Sequence, residues 1–346
     1  MTRRLWLCAI LLILAMPALA ARRRTVTPGD PDHCVHTTLA RFFSSAEMLA
    51  VDEDHLYIVG GFGGIMRVPK LGGDIEVLVF SLDDWFPLSM TIDATNIYLG
   101  VMPSNGFISR EPGAILTVPK NGGVPAVLVD DVRAPFAIEA DATHLYWASA
   151  GTVGFSSIAS DGKIERALKD GTSRQVLAED LSGPLALAID AISVFFSETG
   201  IADDDPTTAL YRIPKNGGTP VELDDEIGAI LLTVDGNTVA FFGGNETEGG
   251  IAAIDKNGAT PMRVLYAGVP EIDETVGGAL HIADRRAYFV RQLEGDETGE
   301  LAWVNIDAPN GLVVVRGGLY FEDDFELDGC AAIVSTTEGQ LIRTGR

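Results

Sequence analysis

The sequence has few cysteines, few basic residues and no long apolar run beyond its first 20 positions. Three cysteines in 346 residues exclude a disulfide-rich scaffold, and no Cys or His cluster has the spacing of a zinc site. Only 25 Lys and Arg stand against 49 Asp and Glu, a net charge of −24, which disfavours binding to nucleic acid or to an anionic membrane. What remains, with 47% hydrophobic residues and 38 Gly, is typical of a folded, turn-rich protein.

The amino terminus has the features of a secretory signal peptide. Arg3 and Arg4 precede an apolar run from Leu5 to Ala15, and Ala18-Leu19-Ala20 supplies the small residues of a cleavage site. We therefore expect a secreted or periplasmic protein without a membrane span after cleavage, with a Sec-type signal favoured over a twin-arginine signal. Retention of this segment as an anchor is the alternative.

Two cysteines remain after the expected cleavage, Cys34 and Cys330, near opposite ends of the chain. An exported protein meets oxidising conditions, so an even pair of cysteines is a candidate disulfide. The sequence predicts a Cys34–Cys330 bridge that ties the two ends of the fold together. Two buried free thiols are the alternative.

A repeat of about 40–50 residues runs through the rest of the sequence. Each unit has an apolar strand ending in Asp, an aromatic or β-branched strand, a third strand, a Gly-containing turn and a short fourth strand. Asn-Gly between two apolar runs favours a tight hairpin, because both turn residues adopt positive φ. We interpret each Asp as a cap that bonds nearby backbone N–H groups, not as a metal ligand. These anchor residues are Asp52, Asp93, Asp141, Asp190, Asp235, Asp284 and Asp328.

Four short antiparallel strands in each of seven units predict an all-β fold, a seven-bladed β-propeller, with six blades as the alternative. The last unit has only three strands, and an unassigned strand candidate runs from Val35 to Phe43. We therefore expect the N-terminal strand to complete the C-terminal blade and close the ring, which removes an exposed sheet edge. The predicted organisation is a signal peptide over 1–20, a flexible segment over 21–33 and a single propeller domain over 34–346.

One unit resembles a known family of repeats. Tyr146-Trp147, followed by the segment from Ile164 to Leu177, is similar to a blade of the low-density-lipoprotein-receptor-type (YWTD) propellers. The other units resemble a Val-Pro-Lys-x-Gly-Gly variant of that repeat found in secreted bacterial propellers. The sequence differs from the family in lacking the Thr-Asp half of the motif and in having seven units where six are typical. The resemblance implies extracellular binding of a protein or ligand by a rigid disc.

Three polar residues interrupt apolar or small positions on the predicted first strands. His281 lies three residues before its anchor, and Glu139 and Glu326 lie two before theirs. First strands surround the central channel of a propeller, so these side chains are the candidates for a channel site. Water-bonded polar residues in the channel are the simpler interpretation.

The loops from each unit to the next are acidic. In a propeller such loops emerge on one face, so we expect either a solvated rim or a negative face that attracts a basic protein or cations. The residues of this predicted face are Asp83, Asp84, Asp130, Asp131, Glu179, Asp180, Asp224, Asp225, Glu271, Asp273, Glu322 and Asp323.

No catalytic motif with a nucleophile, a metal-binding pair or a phosphate-binding loop occurs in the sequence. We therefore predict an exported, monomeric, non-enzymatic binding or scaffold propeller without a cofactor or metal. A hydrolase or lyase with its site in the channel is the alternative.

Overall fold

The computed structural model describes residues 37–41, 46–60, 63–105, 111–154, 157–199, 208–225, 228–244, 249–269, 279–292, 299–308, 312–319, 325–328, 331–336 and 340–345. These residues form seven four-stranded antiparallel sheets arranged as blades in a ring, and none of them is helical. The predicted seven-bladed propeller is thereby confirmed, and the six-bladed alternative is excluded.

Each blade runs outward from an innermost strand beside the channel, and the amino-terminal strand β1 (Thr37–Arg41) belongs to the last blade. Blade 1 contains β2 (Ala46–Val51), β3 (His55–Gly60), β4 (Ile65–Pro69) and β5 (Glu76–Val79). Blade 2 contains β6 (Trp85–Ile92), β7 (Asn96–Pro103), β8 (Gly113–Pro119) and β9 (Ala126–Val132). Blade 3 contains β10 (Pro135–Ala140), β11 (His144–Ser149), β14 (Gly162–Leu168) and β15 (Gln175–Leu181), with the small hairpin β12 (Val153–Gly154) and β13 (Ser157–Ile158) inserted.

The other blades have the same order of strands. Blade 4 contains β16 (Leu187–Ile189), β17 (Ser193–Thr199), β18 (Thr208–Pro214) and β19 (Val221–Asp224). Blade 5 contains β20 (Gly228–Asp235), β21 (Thr238–Gly244), β22 (Gly249–Asp255) and β23 (Arg263–Val269). Blade 6 contains β24 (Leu280–Ala283), β25 (Arg286–Gln292), β26 (Gly299–Asn305) and β27 (Val313–Leu319), and blade 7 contains β28 (Phe325–Asp328), β29 (Ala331–Thr336), β30 (Gln340–Gly345) and β1.

The hydrophobic core consists of seven layers, one between each pair of neighbouring blades. Second strands read as continuous apolar runs because both of their faces are covered. In β3, Tyr57 and Val59 pack toward blade 2, whereas Leu56 and Ile58 pack toward blade 7. The layer between blades 7 and 1 contains Leu39 from β1, so the ring is closed by packing as well as by pairing.

The outermost strand of every blade bulges at one apolar residue. In blade 1, Met66 pairs with Val77 and Ile65 pairs with Val79, which leaves Leu78 as the inserted residue of the bulge. The amino-terminal strand β1 has the same bulge at Leu39, so it is a fourth strand in its geometry as well as in its position. The bulged residues are Leu39, Leu78, Leu128, Leu177, Leu223, Leu265 and Val315.

The bulged residue lies against a turn glycine of the next blade. Gly171 has a φ of +82°, and a Cβ added there would lie 2.2 Å from the carbonyl oxygen of Leu128. Gly72 in blade 1 packs in the same way against Leu39 of the amino-terminal strand. Positive φ favours glycine at both turns, and at Gly171 the close approach of the neighbouring blade also requires it.

Candidate functional site

The ring has two unlike faces. One face, here the turn face, carries the turns between first and second strands and between third and fourth strands. The other, here the connection face, carries the connections from the outermost strand of one blade to the innermost strand of the next. Most anchor aspartates of the turn face lie in a different environment from the acidic residues of the connection face.

On the turn face, the anchor aspartates cap the turn that follows the first strand. Asp141 Oδ1 accepts hydrogen bonds from the backbone N–H groups of Thr143 and His144, both at 2.8 Å. Asp52, Asp93 and Asp190 make the same pair of bonds in blades 1, 2 and 4. The predicted capping role is confirmed in these four blades.

The second oxygen of the same carboxylate joins neighbouring blades. Asp141 Oδ2 accepts a hydrogen bond from the Tyr146 hydroxyl at 3.0 Å and binds the Lys215 ammonium of blade 4 at 2.9 Å. The Lys215 Nζ also lies 4.9 Å from the centre of the Tyr146 ring. Equivalent bridges cross four further interfaces, Asp52–Lys120 at 2.8 Å, Asp93–Lys169 at 3.1 Å, Asp190–Lys256 at 2.8 Å and Asp328–Lys70 at 2.9 Å.

These contacts shift the pKa of Asp141 and that of Tyr146. Burial alone would oppose ionisation of Asp141, but Lys215, the two backbone N–H groups and Tyr146 hold the pKa of Asp141 well below its ordinary 3.8. Burial and the hydrogen bond to Asp141 raise the pKa of the Tyr146 phenol to about 12. Asp141 is thus ionised and paired with Lys215 at neutral pH.

Blades 5 and 6 meet without such a lysine. Ile306 occupies the lysine position of blade 6 and is fully buried. Arg285 takes over part of the role, because it donates a hydrogen bond to Thr238 at 3.1 Å and its pKa is raised by Asp307 and, to a smaller extent, by Asp235. The equivalent position of blade 7 is Arg346, which lies outside the described residues.

On the connection face, most of the predicted acidic residues are open to solvent. Asp224 is partly buried, whereas Asp83, Asp84, Asp130, Asp131, Glu179, Asp180 and Asp225 are exposed. Within the described part of the chain, none of these seven exposed carboxylates forms an ion pair. Glu271, Asp273, Glu322 and Asp323 lie outside the described residues.

A buried network supports the acidic pair Asp130–Asp131. Arg174 donates to the backbone carbonyl of Asp130 at 2.8 Å and to that of Asp131 at 3.0 Å. The positive charge of Arg174 is meanwhile neutralised by Glu165, at 2.9 Å. Glu165 is 3% exposed and also accepts a hydrogen bond from the Trp147 indole at 3.1 Å. The arginine therefore holds the backbone of this acidic pair, and neither carboxylate forms an ion pair within the described residues.

In the channel, two of the three candidate residues occupy equivalent positions on their strands. Glu139 on β10 and Glu326 on β28 lie two residues before their anchors on innermost strands of different blades. Burial raises the pKa of Glu139 to about 7. Burial and then the negative charge of Glu139 raise the pKa of Glu326 to about 8, so the two carboxyl groups interact electrostatically.

His281 has a different environment. Its Nε2 donates a hydrogen bond to the backbone carbonyl of Phe325 at 2.9 Å, and its ring packs edge-on against the Phe325 ring at 4.9 Å. The histidine thus contacts the residue that precedes Glu326, and one of its ring nitrogens is committed to the backbone of the next blade.

The predicted signal peptide and both cysteines, Cys34 and Cys330, lie outside the described residues, so the expected export and disulfide stay predictions. The described part of the chain contains no helix able to cross a membrane. It also contains no group of three or more His, Cys, Asp or Glu side chains placed to hold a metal ion.

Sequence reasoning missed the lysine and tyrosine partners of the anchors. The signal was present, since a lysine ends the third strand in five units in step with the aspartates, at Lys70, Lys120, Lys169, Lys215 and Lys256. It also missed the Trp147–Glu165–Arg174 network. No spacing rule predicts that network, because its three members meet only through pairing of neighbouring strands.

Comparison with known proteins gives the fold and no family. No family model and no curated protein matches the chain. Among solved structures, a chain of a nidogen/laminin complex is 16% identical with a TM-score of 0.53, covering 76% of this chain and 92% of that one. The computationally designed Ika8 protein is 13% identical with a TM-score of 0.55, and the match covers 89% of this chain and 98% of that one. YCF48 bound to D1 peptide gives 12% identity, a TM-score of 0.58 and coverage of 93% and 98%. These likenesses support the propeller fold.

Proposed function

We propose that this chain is an exported, non-enzymatic binding propeller that recognises a basic protein on its connection face. The observation that carries the proposal is the contrast between the two faces. Five of the seven turn-face anchors are paired with lysine, whereas Asp83, Asp84, Asp130 and Asp131 are exposed and form no ion pair within the described residues.

Physical chemistry favours a basic polypeptide as the partner. Carboxylates on one face of a rigid disc create a negative potential that speeds the approach of a positive partner and orients it. The interlocked blades keep these loops in place, so little ordering is required when the partner binds. The similarity of blade 3 to YWTD repeats, and the presence of a laminin complex and a peptide complex among the structural neighbours, agree with a binding role.

The test uses a lysine dodecapeptide as the basic probe. Affinity should fall steeply as salt rises from about 20 mM to about 500 mM, because exposed charges are screened. The variant Asp83→Asn/Asp84→Asn should weaken binding several-fold, and adding Asp130→Asn/Asp131→Asn should weaken it further. Asparagine suits these positions because Asp83 and Asp131 have positive φ values of 55° and 51°.

The matched control is Glu53→Gln/Asp54→Asn, which removes two exposed acids from a turn of the turn face. This control should bind the peptide as the wild type does. Equal loss in the control and the connection-face variant would show a uniformly acidic surface and overturn the proposal. Calcium ions displacing the peptide at low concentration would show a cation site in its place.

The electrostatic interaction of Glu139 and Glu326 favours a second candidate, a hydrolase or lyase with a channel site. Two coupled carboxyl groups with pKa values of about 7 and about 8 suit general acid and base catalysis near neutral pH. Turnover on a panel of ester and glycoside substrates that is lost in both Glu139→Gln and Glu326→Gln would support this candidate. Turnover that survives both changes would exclude it.

A further inference from the structure

The connection between blades 1 and 2 exposes an aromatic side chain in an otherwise acidic region. We call residues Phe80–Phe86 the aromatic loop. Phe80 is 90% exposed and Phe86 is 37% exposed, and between them lie the exposed Asp83 and Asp84. A phenyl ring exposed to this extent beside carboxylates is available to pack against an apolar side chain of a positively charged partner.

The aromatic loop is held in place by its own contacts. Leu82 is 3% exposed and anchors the loop in the layer between blades 1 and 2. The N–H of Asp83 donates to the Ser81 hydroxyl at 2.9 Å, and the N–H of Ser104 donates to the carbonyl of Asp84 at 2.7 Å. Phe80 is therefore presented from a fixed backbone, which lowers the entropic cost of binding.

The position of Phe80 in the repeat links it to the acidic residues. Phe80 lies two residues after the bulged Leu78. Counted from the bulged leucines of the next three blades, the equivalent residues are Asp130, Glu179 and Asp225. All three are exposed, so one aromatic ring and three carboxylates occupy the same place in four consecutive blades.

We infer that the aromatic loop is the docking point for a basic polypeptide segment that carries an apolar side chain, which packs on Phe80 while its cationic residues face the neighbouring carboxylates. This inference rests on the proposed function and specifies where the partner binds and which chemistry it has. Aromatic side chains are enriched at the core of protein interfaces, and a polar rim surrounds that core. An anionic lipid surface would be repelled by Asp83, Asp84 and the net charge of −24.

The experiment compares a lysine dodecapeptide with the same peptide carrying two central leucines. The wild type should bind the leucine peptide about tenfold more tightly. Phe80→Asp, which places at this position the residue type found at Asp130, should abolish that preference while binding the lysine peptide at least as well as the wild type. Val124→Ser, at an apolar residue that is 87% exposed in a turn of the turn face, is the matched control and should keep the preference.

The outcomes separate the two proposals. Salt-sensitive binding of the lysine peptide with an unchanged leucine preference in Phe80→Asp would leave the proposed function standing and overturn the inference. Failure of the wild type to bind either peptide would overturn both. Phe80-dependent binding to phosphatidylserine vesicles, with no peptide binding, would identify a lipid surface and also overturn the inference. Melting curves of each variant check folding, which solvent-exposed positions should preserve.

Discussion

The two faces of the ring use the same residue type for different purposes. On the turn face, Asp141 accepts two backbone N–H groups, a tyrosine hydroxyl and the lysine of the next blade. On the connection face, Asp84 has an exposed carboxylate with no ion pair in the described structure. The difference shows that a carboxylate stabilises this fold where hydrogen bonds and a fixed cation surround it, and that an exposed one is available to a partner.

The largest expected effect is loss of a turn-face anchor. Asp141→Ala removes four contacts and leaves the Lys215 ammonium, with its side chain 11% exposed, without its carboxylate. We expect a loss of about 2–4 kcal/mol in the free energy of unfolding, measured by urea denaturation. Asp84→Ala should change stability by less than about 0.5 kcal/mol. Equal losses for the two variants would contradict the distinction between the faces.

The same variant has a defined pH dependence. The pKa of Asp141 is lowered by folding, so its stabilisation is complete above the ordinary value of 3.8 and is lost as pH falls toward the lower folded value. The difference in stability between wild type and Asp141→Ala should therefore shrink steadily as the pH is lowered below about 4. A difference that stays constant down to about pH 2 would show that the carboxylate charge is not the stabilising feature.

The channel carboxylates differ from the turn-face Asp141 because folding raises their pKa values, whereas it lowers that of Asp141. Folding raises the pKa of Glu139 and Glu326 from 4.5 to about 7 and about 8, so ionisation of these groups destabilises the fold as pH rises through those values. Glu139→Gln/Glu326→Gln should increase the free energy of unfolding by about 1–3 kcal/mol above about pH 8. Below about pH 4.5 the double variant and the wild type should be alike.

Glu179→Gln on the connection face is the matched control for the channel variants, since it removes an exposed carboxylate of the same type. It should leave the pH profile of stability unchanged. A channel variant whose advantage does not depend on pH would indicate a packing effect and not a titration.

The smallest expected effect concerns repulsion within the connection face. Asp83→Asn/Asp84→Asn removes two charges from an acidic surface and should raise stability by about 0.2–0.5 kcal/mol at low salt. Added salt should remove the difference, because screening weakens repulsion between exposed charges. If the gain in stability persists at high salt, its cause would be the backbone conformation at Asp83, whose φ is 55°.

Much of the architecture was predictable from the sequence because the same pattern of strands and turns recurs in every unit of the repeat. Alternation of strands and turns around seven Asp anchors determined the number of blades. The three-strand final unit determined that the amino-terminal strand β1 closes the ring. The acidic loops and their common face also followed from sequence, since connections between successive blades all emerge on the same side.

What the sequence alone determined, then, was the set of strands, the turns, the ring and the side on which each loop lies, because these depend on local periodicity and chain connectivity. Only the tertiary structure decided which charges are neutralised. Lys215 meets Asp141 across a blade interface, 74 residues away in sequence, and Glu326 interacts with Glu139 across the channel. The exposure of Phe80 likewise depends on the surfaces packed around it. Contacts between blades are set by the closing of the ring, and no window of sequence contains both partners.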